Sequence, residues 1–143
     1  MEFHKILVPV AGTKADDEAI KLACSLARPE KGKVWAVYVV TIRRSLPLDA
    51  VIEPEVKKAE EILDHAERVA EEEENYRIET DLLQAREAGP TIVDEAVERG
   101  VDLILMGIEY KGHFGQFSLG RVVPYVLQNA PCRVLVYRYH TVS

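Results

Sequence analysis

Residues 101–137 read VDLILMGIEYKGHFGQFSLGRVVPYVLQNAPCRVLVY, and this stretch decides the fold. An apolar run, Val101-Asp102-Leu103-Ile104-Leu105-Met106, ends at Gly107. A loop spotted with Gly112, Gly115 and Gly120 follows. Val122 to Leu127 then repeats apolar residues at helical spacing, and Val134-Leu135-Val136 is a second apolar run. Strand, glycine loop, helix, strand is a unit that sets backbone N–H groups at a helix N-terminus, where an anion can sit.

The same alternation extends back to the start of the chain. Lys5 to Val10 reads as a buried parallel strand, and Pro9, which lacks a ladder donor, marks its end. Ala11-Gly12-Thr13 is the turn out. Asp16 and Asp17 fall in the first turn of a helix, where carboxylates complement the dipole. Ala19, Ile20, Ala23, Leu26 and Ala27 give that helix its apolar face, and Pro29 and Gly32 stop it. Val34 to Val40 is a second strand, rich in β-branched and aromatic residues.

Thr41 to Pro54 lacks periodicity and reads as a long loop. A helix follows over about Glu55 to Glu73, striped by Ala59, Ile62, Leu63, Ala66, Val69 and Ala70. The run Glu71 to Glu74 reads as its solvated terminus. Arg77 to Leu83 alternates like a strand near the sheet edge. Gly89-Pro90-Thr91 opens a third helix with Ile92, Val93, Ala96 and Val97 on its buried face and Gly100 as its stop. The order β-α-β-α-β-α-β-α-β calls for right-handed crossovers and a parallel sheet with helices on both faces. In such sheets ligands bind beyond the carboxyl ends of the strands, where strand order reverses. The loops after Val10, Val40 and Gly107 should therefore share one crevice.

Length and composition narrow the function. A chain of 143 residues fits one domain, residues 1–143, large enough to bury a core. A net charge of −6 with no basic face argues against nucleic-acid binding. No apolar run is long enough to span a bilayer, so no membrane role is expected. The opening MEFHKILVPV lacks the apolar core and cleavage site of a signal peptide. Cys24 and Cys132 are far apart, fit no metal spacing and read as reduced packing thiols of a cytoplasmic protein.

Familiar catalytic and nucleotide motifs are missing. Ala11-Gly12-Thr13 is not G-x-G-x-x-G. Gly115 and Gly120 have P-loop spacing, but Arg121-Val122 follows where Lys and a metal-binding hydroxyl are needed. Histidines at 4, 65, 113 and 140 form no metal set by spacing. No Ser lies in G-x-S-x-G, and no nucleophile–base pair emerges, so no catalytic residue is assigned. Ser118 suits a helix cap and a ligand contact equally. Arg121 puts a cation at a helix N-terminus, against the dipole at a cost of about 0.3–1 kcal/mol. Solvent or an internal carboxylate would offset that, and so would a bound phosphate.

ILVPV, AREAGPTIVDEAVERGVDLILMG and NAPCRVLVY together resemble the universal stress proteins over essentially the whole chain. The resemblance implies a three-layer, doubly wound, Rossmann-like sheet of five parallel strands in the order 3-2-1-4-5, of the adenine nucleotide alpha hydrolase type. It also implies a homodimer paired through the last strand, here Arg133, Val134, Leu135, Val136, Tyr137 and Arg138. Nucleotide-binding members carry G-x2-G-x9-G-(S/T) after strand four. The matching positions are Gly107, Tyr110, Gly120 and Arg121, so the second glycine has become tyrosine and the hydroxyl arginine.

Those members also place an aspartate where this chain has Ala11. The adenine slot at Pro9, Val10 and Val39 is unaltered, and Met106 and Val122 flank the motif as further candidate contacts. A tyrosine ring would fill volume that glycine leaves to phosphate. The missing aspartate removes an acceptor worth roughly 0.5–1.5 kcal/mol. Arg121 could replace the hydroxyl with a charge-assisted bond or fill the hollow itself. The expected function is a dimeric stress-response module acting through protein partners, with weak or absent ATP binding and no assigned cofactor. The alternative is an ATP-dependent switch.

Overall fold

The computed structural model describes residues 1–111 and 120–141, with residues 110, 111, 140 and 141 described by their backbone alone. Five strands, β1 (Lys5–Pro9), β2 (Lys33–Thr41), β3 (Glu79–Ala85), β4 (Leu103–Lys111) and β5 (Arg133–Thr141), alternate with the helices α1 (Lys14–Ala27), α2 (Glu53–Glu74), α3 (Ala88–Arg99) and α4 (Val122–Asn129). The strands form one sheet in the order β3-β2-β1-β4-β5. Every pairing is parallel. This is the doubly wound order expected from the resemblance.

Period-two alternation divides the core into two layers. Ile6 and Val8 of β1 and Leu103 and Leu105 of β4 pack with Ile20 of α1 and Leu63 of α2. Leu7 of β1 and Ile104 of β4 point the other way, onto Ile92 of α3 and Val126 of α4. Buried on both faces, β1 and β4 must be apolar at successive positions, as their sequence is. Asp102 fixes their relative height, since its carboxylate accepts from the backbone N–H of His4 at 2.9 Å and of Lys5 at 3.3 Å.

Several boundaries differ from the sequence reading, each for a reason of context. β4 does not end at Gly107 but continues to Lys111, because β5 offers a ladder as far as Lys111 opposite Thr141. β3 starts at Glu79 and ends at Ala85, since its register is set by β2, from Trp35 opposite Glu79 to Thr41 opposite Ala85. Lys31, not Gly32, takes the left-handed turn after α1, with φ 50°. Gly32 is small for packing: a Cβ there would stand 2.8 Å from the Phe3 carbonyl oxygen. Val97 is 61% exposed, while the buried face of α3 is Gly89, Ile92 and Ala96. Glu74 is no simple solvated terminus, for Arg28 pairs with its carboxylate at 3.4 Å and Ser25 donates to it at 3.2 Å.

Candidate functional site

The chain leaves β1 toward β2 on one side and returns as β4 on the other, so strand order reverses beside β1. A cavity of about 280 Å³ opens there. Its floor is Pro9, Val10 and Ala11 from the end of β1, with Val37, Tyr38 and Val39 of β2 on one side and Met106, Gly107 and Ile108 of β4 on the other. Ala88 and Ile92 of α3 and Val122 and Val123 of α4 complete the wall. The lining is almost wholly apolar, and the Val10 N–H is already bonded to the Val37 carbonyl at 2.9 Å.

The fold thus gathers seven sequence candidates, Pro9, Val10, Ala11, Val39, Met106, Gly107 and Val122, into one cavity. Arg121 does not line it. Arg121 caps the start of α4, exposed, and lines an adjoining hollow of about 440 Å³. No described residue makes an ion pair with it. Gly120 precedes it with φ 69°, a conformation that favours glycine. Ser118 and the side chain of Tyr110 lie outside the described residues, as do Gly112 and Gly115.

Gly107 owes its identity to packing. A Cβ there would collide with the Ala15 carbonyl oxygen and stand 3.1 Å from the Ala19 Cβ. Glycine lets α1 lie directly on β4.

The turn after β1 holds a feature that sequence reading took for a simple dipole partner. Asp16 is 5% exposed, and its carboxylate turns back to accept from the backbone N–H groups of Ala11 at 3.1 Å, Gly12 at 2.6 Å and Thr13 at 3.1 Å. The next amide, Lys14, donates to the Glu109 carboxylate at 3.1 Å. Four successive amides at the start of α1 are therefore satisfied by the protein's own carboxylates. Burial pushes the Asp16 carboxyl above its ordinary range, and the three amides act against that. The signal was present: Thr13-Lys14-Ala15-Asp16 has the spacing by which a residue three beyond the N-cap reaches back to the loop.

Two other groupings were not visible in the sequence. Gln84 donates to the Leu48 and Ala50 carbonyls, each at 2.9 Å, and Arg86 donates to those of Ile42 at 3.2 Å and Arg43 at 2.6 Å, so the end of β3 straps down the long loop. At the amino ends of the strands, Glu2, His4 and Glu30 bring ligand atoms within 4.8 Å of one another at the surface. Exposed acidic groups gather in this way without binding metal, and nothing else there points to an ion. Among the described residues no helix is long and apolar enough to cross a membrane.

A parallel sheet wound in both directions, with an apolar slot at its switch point, defines a Rossmann-like α/β protein. The chain belongs to the universal stress protein family, whose model matches residues 2–138. A universal stress protein of Methanocaldococcus jannaschii is 32% identical over 142 residues, covering 95% of this chain and 82% of the relative. The structure of a universal stress protein from Archaeoglobus fulgidus superposes with a TM-score of 0.78 at 23% identity, over 93% of this chain and 97% of that one. An Archaeoglobus fulgidus universal stress protein in complex with dAMP gives 0.74 at 21% identity, over 95% and 98%.

Proposed function

We propose that this chain is a regulatory universal stress protein of the cytoplasm, a single domain acting as a homodimer on protein partners, without enzymatic activity and with weak or lost ATP binding. The observation that carries the reading is Tyr110 and Arg121 standing where nucleotide-binding members carry a glycine and a hydroxyl, and the state of the first loop adds to it. Phosphate binding at a helix start needs N–H groups that lack partners and a positive local field. Here the amides of Ala11 to Lys14 already hold Asp16 and Glu109, whose charges would repel a triphosphate. The acceptor that nucleotide-binding members place in this loop is replaced by Ala11. A cavity of about 280 Å³ also falls just below the range of ligand sites, roughly 300 to 1,000 Å³.

One observation favours the alternative, a nucleotide-dependent switch: the apolar slot formed by Pro9, Val10 and Val39 is intact. The relative in complex with dAMP adds to it. Anion-exchange analysis of small molecules released by heat from purified protein separates the two. Stoichiometric ATP would defeat the first reading. So would a melting temperature raised by several degrees in micromolar ATP, since only a ligand that binds the folded chain tightly stabilises it at that concentration.

A further inference from the structure

We infer that a hollow at the amino ends of β2 and β3 is a binding site for a small multivalent oxyanion, of the phosphate or sulfate kind. It lies at the far end of the strands from the switch-point slot, so it goes beyond the reading above and does not depend on it. The hollow measures about 320 Å³, inside the size range of ligand sites. Its walls are the turn Lys31-Gly32-Lys33 that leads into β2 and the segment Tyr76-Arg77 that leads toward β3.

Cations outnumber carboxylates there. Lys31, Lys33 and Arg77 face a single carboxylate, Glu79, in a chain whose net charge is −6. None of the ion pairs among the described residues engages these three cations. The Lys33 ammonium lies 6.0 Å from the centre of the Trp35 ring and adds to the field, which leaves Lys31 and Arg77 for direct contact. Arg77 brings a planar fork and Lys31 a point charge, the two ways side chains hold an oxyanion. Part of the acidic run that ends α2 is already neutralised, since Glu74 pairs with Arg28 and Glu73 with Lys21.

The backbone supplies an independent observation. Among the described residues two that are not glycine have positive φ, Lys31 and Asn75, each at 50°. Both border this hollow: Lys31 lines it, and Asn75 directly precedes Tyr76. Asparagine takes this conformation readily, whereas lysine takes it at a cost that glycine would remove. Strain of this kind gathers where a side chain is held for a ligand. The frame around Lys31 is rigid. Gly32 admits no side chain, its carbonyl accepts from the Tyr76 hydroxyl, and the Arg28 guanidinium lies 5.7 Å from the centre of the Tyr76 ring. The site is therefore formed before any anion arrives, which lowers the cost of binding.

The test follows amide resonances of the full chain by NMR as sodium phosphate, sodium sulfate or sodium chloride is added at matched ionic strength. Phosphate and sulfate should shift the amides of Lys31, Gly32 and Arg77 saturably at millimolar concentration, and chloride should not. Arg77→Gln and Lys31→Gly should each weaken phosphate roughly two- to fivefold, and Glu79→Gln should strengthen it by a similar factor. Lys31→Gly separates ligand binding from a structural role, because glycine accepts φ 50° without strain and should hold or raise the Tm. The absence of a saturable shift, or equal shifts in chloride, would overturn the site. So would phosphate affinity indifferent to both Lys31→Gly and Arg77→Gln, or a lower Tm for Lys31→Gly, whose lost binding would then follow from a damaged turn.

Discussion

The carbonyl of Ala15 in α1 lies so close to the Cα of Gly107 in β4 that a methyl group at residue 107 would stand 2.9 Å from the Ala15 carbonyl carbon. The glycine at residue 107 is thus held by helix-on-strand packing, whether or not a ligand is bound. Gly107→Ala should force α1 outward and destabilise the fold by about 1–3 kcal/mol. Thermal unfolding should show a Tm lower by roughly 4–12 °C. An unchanged Tm would mean that α1 shifts at no cost and that the glycine serves some other purpose.

Asp16→Ala should cost about 1–3 kcal/mol, because three amides of the β1–α1 turn lose their acceptor together. Its pH dependence has an uncommon sign. Burial raises the folded-state pKa above the ordinary 3.8, so the folded chain keeps this proton to higher pH than the unfolded one. Asp16 therefore contributes a stability that declines as pH rises from 3.8 through the folded value and is level above it. In urea titrations across that window, the gap between wild type and Asp16→Ala should narrow with rising pH. A gap that widens would place the folded pKa below 3.8, with the amides outweighing burial.

The frame of the molecule was legible because strand and helix periods are local. Leu7 and Ile104 fall on one face and Ile6 and Leu105 on the other through simple alternation. What escaped depends on neighbours distant in sequence. Val97 continues the apolar pattern of α3 yet is exposed, while Gly89, Ile92 and Ala96 turn inward beside β1 and β2. Arg86 looks like any exposed arginine until the loop after β2 folds back over it. The crevice was legible as a place, the switch point beside β1, but β2 and β4 line it with strand residues instead of the loops expected after Val40 and Gly107. The full pairing of the turn after β1 was not legible, because Asp16 and Glu109 converge on its four amides from α1 and β4, elements distant in sequence.

The two thiols should react at different rates. Cys24 is wholly buried, and burial lifts its thiol to about 11. At pH 8 roughly one molecule in a thousand would carry the thiolate, the form that alkylates. Cys132 is half-buried, and its thiol is raised too, chiefly by burial. Iodoacetamide followed by peptide mass analysis should label Cys132 first and leave Cys24 unmodified until the chain is unfolded in denaturant. Equal labelling of both in the folded state would show that α1 opens far more readily than its packing implies.

The edge of the sheet sets the last expectation. β5 pairs with β4 on one side, and no described strand covers the other. Val134, Leu135, Val136 and Tyr137 are only half-buried along it. An apolar parallel edge of this kind invites pairing with a further strand. A second copy related by a two-fold axis closes the edge without leaving another. Tyr137 stands at the centre of Arg133–Thr141, so an axis through the middle of β5 sets the two copies of residue 137 opposite each other. Tyr137→Asp then places like charges face to face across the pair, which is destabilising, whereas Tyr137→Phe keeps the apolar contact. Sedimentation analysis should find dimers for the wild type and Tyr137→Phe, and monomers with unchanged far-ultraviolet dichroism for Tyr137→Asp. Dimers as stable in the aspartate variant as in the wild type would move the interface away from β5.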